Sequence, residues 1–213
     1  MNTVNRRFIA MPYFLNLKKQ NLKTLDILVY ITIRSFHNST TGLCYPSYEK
    51  IIEKSGLSRG FISSSIKRLE FAGHFKVDHS KRQGTCNRYL FQKVDPFKPI
   101  PYELFDATDL SSYEKAMLLC LRPFFVLELN LYLGSIKELA NDLGISYKQV
   151  YSPYKTLIDK GYLKEVSNVS KDSQNGKIYL KLTDKIDWDY DFSGADRPLS
   201  IERDINSVEL KVA

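Results

Sequence analysis

The chain has few of the residues that form covalent or metal cross-links. Its 213 residues include only 3 cysteines and 3 histidines. The cysteines are odd in number and show no paired spacing, so a reducing, cytoplasmic setting is the simplest interpretation. No histidine stands at ligand spacing from a cysteine or a carboxylate, and we expect neither a metal nor a cofactor.

Long apolar segments are also missing. Uninterrupted apolar stretches such as those around residues 117–121 and 124–127 are far too short to cross a bilayer. Arg6 and Arg7 precede residues 8–11, but no continuous apolar region follows, so we expect no secretory signal. The sequence therefore predicts no membrane association.

Catalytic signatures are absent as well. There is no Gly-rich phosphate loop, no Gly-x-Ser-x-Gly and no His-Glu-x-x-His. A rolling-circle nickase needs closely spaced histidines that hold a metal, and His74 and His79 lie on a predicted strand without that arrangement. We expect a protein that binds rather than an enzyme.

An internal repeat is the most informative feature that the chain does have. Residues 56–77 read GLSRGFISSSIKRLEFAGHFKV, and residues 144–165, which begin 88 positions later, read GISYKQVYSPYKTLIDKGYLKE. Both follow one pattern of tight turn, helix start, apolar stripe and terminal glycine. The two copies align with each other without any insertion. A constant offset indicates a duplicated architecture.

The first copy reads as a DNA-binding helix. Ser58 is a good N-cap, and Ile62, Ile66 and Leu69 fall on one face that must be buried. Gly73 ends the helix, and a strand follows. The outer face keeps short, polar or cationic residues that suit the major groove: Arg59, Ser63, Ser64, Lys67 and Arg68.

The neighbouring segments complete a winged helix. A short helix over 48–54 follows Ser47, and Gly56 makes the turn into the next helix. Residues 24–36 predict a helix that is apolar on more than one side and therefore central. A polar turn over 80–85 predicts a hairpin. The fold class is mainly α with small β-hairpins, in two tandem winged-helix domains.

The second copy repeats these signals with one conflict. Capping boxes are expected at Ser111 with Glu114 and at Ser135 with Glu138, and a hairpin at 163–166 and 178–182. Pro153, however, falls inside the second recognition helix, where proline costs about 3 kcal/mol. We expect that helix to be kinked, or to begin again with Ser152 as its cap.

Charge is distributed unevenly along the chain. Residues 1–95 carry 16 Lys and Arg against 6 Asp and Glu, residues 96–185 carry 12 against 11, and the rest carry 3 against 7. Because phosphate neutralisation dominates nucleic-acid affinity, the first module is the expected electrostatic anchor. We predict a first winged-helix domain over 1–95, a second over 96–186 and an acidic extension over 187–213.

Residues 44–76, CYPSYEKIIEKSGLSRGFISSSIKRLEFAGHFK, resemble the winged helix-turn-helix domains of plasmid and mobile-element replication initiators and of bacterial transcription regulators. The resemblance implies that the third helix enters the major groove and that the wing contacts the backbone or the minor groove. The implied DNA-binding residues are Ser58, Arg59, Gly60, Ser63, Ser64, Lys67 and Arg68, with Lys81, Arg82 and Gln83 at the wing and Tyr147, Lys148, Gln149, Tyr151, Ser152 and Lys155 in the second copy.

Three functions remain open at this point. The first is a sequence-specific double-stranded DNA-binding protein that acts in replication initiation of a plasmid or mobile element. The second is a transcription regulator with the same fold. The third has one DNA-binding module and one protein-interaction module. Residues 199–212 of the extension predict docking or a homodimer, with a disordered tail as the alternative.

Overall fold

The computed structural model describes residues 7–80, 86–93, 96–126, 129–166 and 178–190. The elements of the first half are β1 (Phe8–Pro12), α1 (Thr24–Arg34), α2 (Tyr48–Ser55), α3 (Arg59–Phe71), β2 (Lys76–Asp78) and β3 (Arg88–Leu90). Those of the second half are β4 (Phe97–Pro101), α4 (Ser112–Leu121), β5 (Leu131–Gly134), α5 (Ile136–Leu143), α6 (Tyr147–Asp159), β6 (Leu163–Glu165) and β7 (Ile178–Leu182). The fold is a mixed, α+β arrangement of helices and small antiparallel sheets.

Helix starts lie where the capping residues predict them. The Ser58 hydroxyl accepts from the amide of Phe61 at 3.3 Å, which confirms Ser58 as the cap of α3. Ser111 with Glu114 and Ser135 with Glu138 form the expected capping boxes at α4 and α5. Reciprocal bonds of this kind satisfy amides that have no partner inside the helix.

The turn between the last two helices of each half is made by a left-handed glycine. Gly56 has φ of 68° and Gly144 has φ of 67°, which a residue with a Cβ rarely adopts. Each glycine ends one helix, and the next begins three residues later, at Arg59 and Tyr147. The two helix pairs thus start 88 residues apart, at the offset of the sequence repeat.

Helix α6 runs unbroken through Pro153, from the Ser146 cap to Asp159. The predicted fresh start at Ser152 is therefore wrong. Proline removes the amide that would bond the carbonyl of Gln149, four residues earlier. The Tyr113 hydroxyl donates to that carbonyl at 3.4 Å instead, so the helix keeps its acceptor satisfied.

Small antiparallel sheets follow the helices. β2 pairs with β3, and β7 lies between β5 and β6. The two hairpins were predicted, whereas β5 was not. In the second half β5 pairs with β7. In the first half the corresponding contact is a single backbone bond, in which the Tyr89 amide donates to the Cys44 carbonyl at 2.8 Å. Both predicted loop tips, at 81–85 and 167–177, lie outside the described residues.

The two halves are packed against each other. β1 of the first half pairs with β4 of the second, with Ile9 opposite Ile100, and α1 packs on α4. The buried apolar side chains form one cluster that runs through both halves. Every residue from Ile27 to Ile33 of α1 is buried, which confirms the prediction of a central helix.

The start of the acidic extension also packs. Trp188 is buried, its ring lies 5.3 Å from the Arg122 guanidinium, and Asp189 accepts from the Asn130 amide at 2.6 Å. Residues 187–190 therefore pack against the fold, and the apolar segment 199–212 lies outside the described residues. None of the helices within the described ranges is long and apolar enough to cross a membrane.

Candidate nucleic-acid interface

Helix α3 separates a buried face from an exposed one. Ile62, Ile66 and Leu69 are buried and hold the helix against α1. Gly60 and Lys67 are exposed on the other side. Ser64 is exposed beside them and Ser63 is half-buried, so the described surface of α3 offers short polar groups and a cation, which suit contacts to phosphates and base edges.

Arg59 stands at the start of this exposed face. Its guanidinium bonds the Glu49 carboxylate at 2.8 Å and lies 4.7 Å from the centre of the Tyr48 ring. The carboxyl's own backbone amide and then Arg59 lower the pKa of Glu49. Because both partners of this ion pair are exposed, the pair is weak, and Arg59 can exchange Glu49 for a phosphate at small cost.

Arg68 differs from the expectation that it lies on the outer face. Its side chain is only 18% exposed, and it makes two bonds of 2.7 and 2.8 Å to the fully buried Asp26 carboxylate of α1. These bonds raise the pKa of Arg68, and the negative charge of Asp26 balances the positive charge of the guanidinium. Its position along the helix could not reveal this pairing, since Asp26 lies 42 residues earlier.

Ser58 is exposed at the N-terminus of α3, where its oxygen already accepts from the Phe61 amide. The hydroxyl proton is still available to donate to an acceptor such as a phosphate oxygen. The wing residues Lys81, Arg82 and Gln83 lie outside the described residues, and their DNA contacts stay a prediction.

Two exposed cations on the β2–β3 hairpin were not among the predicted site residues. Lys76 and Arg88 lie at its two strands, where they alternate with the half-buried Val77 and the buried Tyr89. Alternation along a strand places such residues on the solvent face, and that signal was present in the sequence. They add two exposed cations to the hairpin that follows α3, where Asp78 lies opposite Arg88.

Helix α6 presents a different exposed face. Tyr147 and Tyr151 are 51% and 39% exposed, and their rings stack with centroids 5.3 Å apart. Lys148, Ser152 and Lys155 are exposed on the same helix. Gln149 is also exposed, but its amide oxygen accepts from both the amide and the hydroxyl of Ser146 at 2.9 Å. The predicted residues of the second copy are therefore accessible.

Residues 20–74 match the family described as helix-turn-helix domain. The matched span contains α1, α2 and α3 and ends before β2, so it covers the helices that present the α3 face. No curated protein matches the chain. The match supports a helix-turn-helix DNA-binding domain in the first half.

Proposed function

We propose that the chain is a sequence-specific double-stranded DNA-binding protein of two tandem winged-helix domains, and that it acts by binding, without a catalytic step. The exposed α3 face is the observation that carries this proposal. Within a helix-turn-helix domain, Gly60, Ser64 and Lys67 stand on the helix that such domains place in the major groove.

The tandem part of the proposal draws on the equal spacing of the elements. α2 and α5 begin 88 residues apart, and so do α3 and α6. Serine caps and left-handed glycines recur at that same offset. A duplicated unit accounts for this agreement more simply than two independent helix pairs do.

We further propose that the protein is a replication initiator of a plasmid or other mobile element. This role draws on the resemblance of residues 44–76 to such initiators. It also draws on the presence of two helices, α3 and α6, that could each contact a major groove. Two readers could occupy major-groove segments about 10 base pairs apart, so one copy would cover one repeat of an iterated site.

A transcription regulator is the first alternative. Regulators commonly bind palindromes as two-fold dimers, and a homodimer formed through the extension 187–213 belongs to this alternative. Footprinting on DNA that flanks the coding region separates the two roles. A row of direct repeats supports an initiator, and a protected promoter palindrome supports a regulator.

In the second alternative, the second half binds a protein. Residues 96–185 carry almost balanced charge, with 12 Lys and Arg against 11 Asp and Glu, which gives little attraction to phosphate. Neutralising Lys148 and Lys155 without loss of DNA affinity would support this alternative.

The proposal is tested by the salt dependence of duplex binding. Lys67→Ala is expected to weaken binding and to reduce the slope of log affinity against log salt by roughly 1, because one phosphate contact is lost. Lys181→Ala, at an exposed position on β7, makes the same change in charge on the second half. Equal slopes for the two variants would contradict a specific role for the α3 face.

A further inference from the structure

The exposed face of α6 carries aromatic rings where α3 carries polar groups. At the offset of 88, Tyr147 corresponds to Arg59 and Tyr151 corresponds to Ser63. We propose that this α6 face binds the unpaired bases of single-stranded DNA, an activity that adds to the proposed duplex binding and rests on it for the choice of nucleic acid as partner.

The tyrosines form a supported ladder. The Tyr151 ring lies 5.3 Å from Tyr147, nearly parallel at 17°, and 6.0 Å from the buried Tyr154. The Tyr154 hydroxyl bonds the Glu165 carboxylate of β6, which ties the base of the ladder to the sheet. The outermost ring, Tyr147, is thereby held in place while it remains 51% exposed. A pre-ordered ring loses little entropy when a base stacks on it.

Cations stand beside the rings. Lys155 places its Nζ 5.8 Å from the centre of the Tyr151 ring, and Lys148 is exposed next to Tyr147. Along α6, the first acidic residue is Asp159, one turn beyond Lys155. Positive groups around an aromatic platform match a strand whose backbone is anionic and whose bases have free π-faces.

The rings of Tyr147 and Tyr151 suit an unpaired strand better than a duplex, whereas the polar and cationic side chains of α6 can still contact a duplex. In a duplex the base faces are occupied by their stacked neighbours, and only the base edges are presented in the grooves. Reading those edges requires hydrogen-bonding groups such as those on the exposed face of α3. Ring faces such as that of Tyr147 add binding energy only when a base leaves the stack.

The experiment compares two labelled ligands at one salt concentration by fluorescence anisotropy: an oligothymidylate of about 20 nucleotides and a mixed-sequence duplex of similar length. Tyr147→Ala in the full chain is expected to weaken binding to the oligothymidylate roughly 5- to 150-fold, because one stacking platform is lost. Tyr147→Phe keeps the ring and should retain the affinity. Tyr45→Ala removes another exposed tyrosine, outside the ladder, and should change nothing.

The proposal is overturned if Tyr147→Ala binds the oligothymidylate as tightly as the wild type does. It is also overturned if Tyr147→Phe loses as much affinity as Tyr147→Ala. Loss of self-association in Tyr147→Ala, measured by sedimentation, would assign the face to a second copy of the chain and would also overturn it. Lys67→Ala separates the two activities, since it should weaken duplex binding and spare the oligothymidylate. If the duplex does not bind while the oligothymidylate still binds in a Tyr147-dependent way, the proposed function is refuted and the single-strand proposal stands.

Discussion

Helices α3 and α6 occupy equivalent places in the two halves, yet their exposed faces differ in chemistry. Their buried positions agree, with Ile62 matched by Val150 and Leu69 by Leu157, because both stripes pack against a central helix. Outside that stripe, Lys67 and Lys155 are both cationic, whereas Arg59 and Ser63 are replaced by tyrosines. Packing thus constrains one side of each helix and leaves the chemistry of the other side free to differ.

The halves also hold their third helix by related ion pairs. Asp26 at the start of α1 binds Arg68 of α3, and Glu114 at the matching place in α4 binds Lys160 at the end of α6, at 2.9 Å. The cation of the second pair stands one helical turn further along than Arg68 does. A turn of displacement keeps the residue on the same side of the helix, so either position can meet the acid.

Removing the acid of the first pair should have the largest effect on stability. Asp26→Asn leaves the Arg68 guanidinium largely buried without a negative partner, and we expect the free energy of unfolding to fall by about 3 kcal/mol. Urea denaturation followed by circular dichroism measures this loss. The same variant should also weaken duplex binding, because Arg68 no longer fixes α3 against α1.

The matched control is Glu114→Gln in the second half. Lys160 is 32% exposed and can return to water when its partner is neutralised, so the expected loss is about 1 kcal/mol. Equal losses in the two variants would mean that the two ion pairs are equivalent, despite the deeper burial of the first.

The next effect on stability concerns a buried lysine in the contact between the two halves. Lys98 of β4 donates to the Phe125 carbonyl at 3.0 Å, and burial, followed by the charge of Arg122, lowers its pKa to about 8. Below pH 8 both the folded and the unfolded chain hold the proton, and the folded state bears the full cost of a buried charge. Between about pH 8 and the unfolded value of 10.5, only the unfolded chain keeps it, so this group adds stability as pH rises.

Lys98→Met should therefore stabilise the protein by about 1 kcal/mol at pH 7, since the lost bond to Phe125 offsets part of the relieved charge burial. The advantage over wild type should shrink between pH 8 and pH 10. Thermal or urea unfolding of both proteins across this range measures it. A pH-independent difference would show that the lysine contributes only through packing.

Local signals predicted most of the helical fold, and long-range contacts explain what was missed. Ser58 and Gly56 act within a few residues, so the start of α3 and the turn before it could be read directly. Strands β1 and β4 pair across almost the whole first half, and no short pattern identifies them. Arg68 was assigned to the outer face because helix position alone does not show which buried acid lies opposite.

The smallest effect concerns the proline that distinguishes α6 from α3. If the Tyr113 hydroxyl replaces the amide lost at Pro153, then Tyr113→Phe should destabilise the protein by up to about 1 kcal/mol. In a Pro153→Ala background, the restored amide can bond the Gln149 carbonyl, and the same change should cost almost nothing. A double-mutant cycle measured by urea denaturation tests this coupling. Additive effects would indicate that the carbonyl is satisfied without the tyrosine, and that the buried proline ring is stabilised by packing alone.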